Sequence, residues 1–138
     1  MRRLSSKTKR RRQGVAAVEA ALCLPVVLIL MLGTLEICSG IFLRESLKIA
    51  SFEGARAGVR RQSTPDQVRT TVTEVLQARG VQGAQIEIVP NSFDGLDALS
   101  PIAVTVTAPA EGNSAFNLNF LTGRTVNART TMLREFDE

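Results

Sequence analysis

The sequence predicts an α+β lollipop: a long N-terminal helix, transmembrane in its first half, a second helix, and a small three-stranded antiparallel sheet. Three observations lead there. A run of arginines, Arg10-Arg11-Arg12, gives way after Gly14 to an apolar stretch with no charge from Ala20 to Leu35. Helix-spaced apolar positions continue beyond that stretch and recur after Thr64. Three later segments then alternate apolar and polar residues with the period of a strand.

With its flanks Val15–Glu19 and Ile37–Leu43, the apolar run reaches the roughly 20 residues that cross a ~30 Å hydrocarbon core. Seven of the 17 Lys and Arg residues precede Gly14, with no acid among them. The remaining ten stand against 13 acids, a net −3, so the basic character belongs to the leader. A nucleic-acid-binding arm would carry stacking aromatics or lead into a recognition helix, and neither is present. Lys and Arg held in the cytoplasm ahead of an apolar helix need only the positive-inside rule. The expected organisation is a basic cytoplasmic leader over 1–14, a transmembrane helix over 15–40 and an extracytoplasmic domain over 41–138. A removable secretory signal fits less well, because its apolar region runs only about 7–15 residues. Ser39 and Gly40 also make a poor cleavage context. Cys23 and Cys38 are fifteen residues apart, ~22 Å along a helix. They cannot bridge each other, and read as small packing residues.

The outer part of the first helix, reaching to about Arg61, has Leu43, Leu47, Ala50, Gly54 and Ala57 at steps of three and four. That spacing leaves two surfaces open: a neighbouring subunit, or the chain's own sheet. Thr64-Pro65-Asp66-Gln67 opens a second helix, with Thr64 as N-cap, Pro65 in the first turn and Gln67 completing a capping box. Val68, Val72, Val75 and Leu76 share one face, and Gly80 ends the helix. Gln85–Val89 alternates as a strand with Ile86 and Ile88 inward. Ile102–Thr107 is the clearest strand, closed by Pro109. Arg124–Arg134 alternates again, with Val126, Ala128, Thr130 and Met132 on one side. The segment 113–121, holding Phe116, Leu118, Phe120 and Leu121, reads as a short helix or a loop plugging the sheet. Asp94-Gly95 reads as a solvated turn, since its acids lack calcium-loop spacing.

Histidine is absent, and so are a P-loop, a GxSxG elbow and any paired metal-ligand spacing. No catalytic residue, cofactor, metal, nucleic acid or small-molecule substrate is therefore expected. The chemistry lies in the apolar helix. Glu19 sits just inside its front, and a charge within a membrane helix costs about 2.5–3.5 kcal/mol. The bland alternative is a carboxylate at headgroup level that touches only water.

Gly14-Val15-Ala16-Ala17-Val18-Glu19 resembles the processing site of type IV prepilins and pseudopilins. The resemblance implies a cut between Gly14 and Val15 by a prepilin peptidase, leaving Glu19 as fifth residue of the mature chain. It further implies that Glu19 pairs with the new N-terminal amine of a neighbouring subunit. Downstream come Pro25, a plausible kink site, then Gly33 and Glu36, then Glu53-Gly54-Ala55-Arg56. In this order the parts are similar to the TadE-like family, pseudopilins of the tight-adherence (Tad, or Flp) pilus machinery. Members commonly have an aromatic directly after the glutamate, where this chain has Ala20.

A pilin-like fold would agree with the helix-plus-sheet plan. The function implied is a minor pseudopilin, a structural assembly component seated by a single pass in the bacterial inner membrane. Its partners would be the membrane, the peptidase, other pilins or pseudopilins and the assembly platform. A second class stays open on the residues alone: an unprocessed, membrane-anchored binding module of the cell envelope.

Overall fold

A computed structural model describes residues 7–97, 99–115 and 123–134. The elements are α1 (Lys7–Gly58), α2 (Pro65–Ala78), β1 (Gln85–Val89), β2 (Pro101–Pro109) and β3 (Thr125–Leu133). The sheet has the order β1-β2-β3 and is antiparallel throughout. The α+β plan expected from the periodicities is the one observed. The chain divides into two compact units, Met1–Leu35 and Glu36–Glu138.

In the first unit α1 already begins at Lys7, upstream of Val15 where the apolar pattern starts. Lys, Arg and Gln are good helix formers, and one glycine costs only about 1 kcal/mol inside a helix. The helix also continues through Pro25, whose ring leaves one carbonyl a turn earlier without its usual donor. It is long and apolar enough to cross a membrane.

In the second unit one face of the sheet is covered by helices. Leu43, Leu47 and Ala50 of α1 join Val68, Val72 and Leu76 of α2 over Ile88, Ile102, Val104, Val106 and Ala128. Burying a side chain such as Leu47 contributes about 1.5–3 kcal/mol. The outer stripe of α1 is thus turned onto its own domain, which settles the choice its spacing left open. The small residues explain how closely. A Cβ at Gly54 would overlap Val72 Cγ2 and stand 3.3 Å from Val104 Cγ1, and one at Gly58 would stand 3.1 Å from Ile102 Cγ2. Ser51, fully buried on the same side, meets Thr130 of β3 at 2.8 Å between hydroxyls.

The second helix is capped as its sequence predicts. Gln67 N donates to Thr64 Oγ1 at 3.3 Å, and Thr64 N donates to Gln67 Oε1 at 3.2 Å. Gly80, at φ +67°, takes the left-handed conformation that closes the helix. In β3 the side chains of Val126, Ala128, Thr130 and Met132 turn inward while their neighbours are exposed. The apolar segment 116–122 and the first six residues of the leader lie outside the described residues.

Candidate functional site

The site the sequence points to is α1 itself, and its residues divide into those the fold explains and those it does not. In the first unit, from Gly14 to Met31, every residue is exposed. Leu22 and Ile29 keep about seventy per cent of their surface, at 71% and 69%. Large apolar side chains so exposed are stable only where lipid or protein covers them.

Glu19 lies among them, exposed and without a hydrogen bond or ion pair among the described residues. Gly14 and Gly33 are equally unexplained from within. A Cβ built on either meets nothing within 4 Å, and neither has a positive φ. Alanine would fit both positions and favour the helix by about 1 kcal/mol. Nothing among the described residues accounts for a glycine or a carboxylate at these positions. Cys23 and Cys38 are both free and exposed.

The later motif residues have partners inside the second unit. Glu36 is 4% exposed, and Ser114 Oγ donates to its Oε2. One turn on, Ser39 Oγ accepts from Ala115 N at 3.3 Å. The same loop is held from the other side by Asn113, whose amide pairs with both backbone groups of Gln82 at 2.8 and 2.9 Å. Its Nδ2 also donates to Pro109 O at 2.8 Å. Glu36 is therefore a buried clamp on a loop of its own unit. Sequence reasoning missed this contact, since no local signal couples residues 78 apart. In the Glu53–Arg56 segment, Gly54 and Ala55 are buried, Glu53 is half-buried and Arg56 is exposed.

The helix keeps one further apolar face bare in this unit. Phe42, Ile49 and Phe52 are exposed at spacings of seven and three, the a/d pattern of a helix that packs on another helix. Among the described residues no group of His, Cys, Asp or Glu could hold a metal ion.

These residues all fall in one stretch, and that stretch decides the relationship. Residues 14–56 match the model of the TadE-like protein family. No curated protein and no solved structure matches the chain. The TadE-like segment begins at Gly14 and ends at Arg56, so it holds both the unexplained glycines and Glu19 and the inward-facing Gly54 and Ala55. It marks the chain as similar to a Tad pilus-associated family, which is structural rather than catalytic. With its apolar helix, the TadE-like segment makes this a membrane-anchored protein.

Proposed function

We propose that this chain is a minor pseudopilin of a tight-adherence pilus, cut after Gly14 by a prepilin peptidase and assembled through α1. The observation that carries the proposal is the pair of residues without an internal reason. Among the described residues a Cβ at Gly14 would meet nothing within 4 Å, and Glu19 has no partner. Both have a reason if a peptidase reads the first and a neighbouring subunit meets the second. A glycine at the scissile bond presents backbone without a Cβ to a narrow cleft. A carboxylate in lipid becomes tolerable beside a cation, and the amine freed at Val15 is one. The bare face of Phe42, Ile49 and Phe52 offers apolar area for the same helix-to-helix packing.

On this reading residues 1–14 stay cytoplasmic, the apolar helix from Val15 to about Leu35 spans the inner membrane, and the unit Glu36–Glu138, which already holds Glu36 and Ser39 against residues 114–115, lies outside. Pro25 provides a bend in the span, and the assembly platform and other pilins are the partners. Co-expression with the cognate prepilin peptidase tests it. Mass spectrometry is expected to find Val15 at the new N-terminus, and Gly14→Phe to abolish the cut. A chain that keeps its arginine-rich head in every fraction would instead be an uncut envelope anchor.

A further inference from the structure

The two edges of the sheet are treated differently, and the backbone pattern shows how. Ala110 N donates to Arg124 O at 2.9 Å, and Arg134 N donates to Ser100 O at 3.1 Å. These pairs continue the β2–β3 register at its two ends, which runs unbroken from Pro101↔Leu133 to Pro109↔Thr125. Hydrogen-bonded pairs alternate along an antiparallel ladder. The even residues Val126, Ala128, Thr130 and Met132 therefore bond to β2. The N–H and C=O groups of Asn127, Arg129 and Thr131 point away from the sheet. The same alternation directs the carbonyl of Ile86 in β1 outward, and there Arg69 Nη1 donates to it at 3.1 Å.

So the β1 edge is short, at 5 residues, and carries a cap from α2, while the β3 edge is 9 residues long. It contains no proline, and no hydrogen bond covers its outward groups among the described residues. Its inward side chains Val126 and Met132 are only half-buried against the core, so an added strand would complete their cover.

We propose that the β3 edge accepts an extended, acidic segment of another protein by strand addition. The choice of occupant follows from charge. From Arg124 to Arg134 the chain has three arginines and no acid. Arg124 and Arg129 are exposed and make no ion pair among the described residues, while Arg134 donates to Phe93 O at 3.3 Å. The acid facing the same side, Glu87, lies across β2 from Arg129, two strand spacings or about 10 Å away. A second copy fits poorly. In the antiparallel register with the greatest overlap, Arg129 faces Arg129 and Arg124 faces Arg134, and like charges directly opposite are unfavourable. A strand with glutamates on the outer face and apolar residues on the inner one meets both Arg129 and the half-covered Val126 and Met132. Main-chain bonds would supply affinity and Arg129 the selectivity.

Amide exchange of the full chain in detergent micelles tests this, with two nine-residue peptides that match the 9 residues of β3. One alternates Val with Glu and the other Val with Lys. Alone, the chain should exchange the amides of Asn127, Arg129 and Thr131 much faster than those of Ala128 and Thr130. The Val-Glu peptide should slow them by about tenfold or more, and the Val-Lys peptide should not. Arg129→Glu should reverse that preference. Thr131→Pro removes an outward donor without breaking a bond to β2, and should abolish the protection with the unfolding midpoint retained. Slow exchange at these amides in the chain alone would show the edge already covered, and would overturn the proposal. Equal protection by both peptides, an unchanged preference in Arg129→Glu, or protection that grows with protein concentration alone would do the same. Should Thr131→Pro fail to fold, the charge reversal still decides.

Discussion

At Gly14 and Gly33 a methyl group would meet nothing within 4 Å among the described residues, whereas at Gly54 and Gly58 it would crowd Val72 and Ile102. The carboxylates divide the same way: Glu19 is exposed with no partner among the described residues, while Glu36 is buried and holds Ser114. All of them lie on one continuous helix, and all but Gly58 lie within one family match. The difference separates residues that nothing described within the chain explains from residues that the chain's own packing explains. A motif position is therefore no guide to its role until its surroundings are known.

Substitutions of one residue type in the two regions should split accordingly. The largest gap is expected at leucine. Leu47→Ala should destabilise the second unit by about 2–5 kcal/mol in denaturant unfolding, whereas Leu28→Ala should leave that transition in place. Next, Gly54→Val must displace Val72 and Val104 and should cost about 1–3 kcal/mol or more. Gly33→Val should change unfolding by less than about 0.5 kcal/mol. Comparable losses at both glycines would erase the distinction drawn here.

Glutamate gives a smaller separation in stability but a clear one in function. Glu36→Ala strands Ser114 and should cost about 1–3 kcal/mol, with faster amide exchange at Ala115. Glu19→Ala should unfold like the parent and still be cut after Gly14, while its incorporation into the pilus, read by immunoblot of sheared filaments, falls. Normal incorporation would rule out the amine–carboxylate pairing. The smallest effect is at Thr64, where alanine removes the capping box for about 1 kcal/mol, visible as a shift of the thermal midpoint.

Much of the second unit could be read directly because its signals are local. The capping box at Thr64 and Gln67, the stop at Gly80 and the alternation of β2 each depend on residues a few positions apart. Helix and strand follow from such spacings because backbone geometry repeats every 3.6 or 2 residues. The start of α1 was less legible, since the leader's helix formers carry no apolar period to mark them. The Glu36–Ser114 clamp was not legible at all.

What the amino-acid order determined by itself was the apolar span behind its arginine cluster, the motif from Gly14 to Arg56, and the type of the elements in the second unit. These rest on composition and on contacts between near neighbours in the chain. Tertiary structure alone decided which face of α1 packs on the sheet, what Glu36 holds, and which edge of the sheet takes a cap from α2. Those outcomes depend on groups far apart in sequence meeting in space, and periodicity shows that a surface is apolar or charged without showing what lies against it.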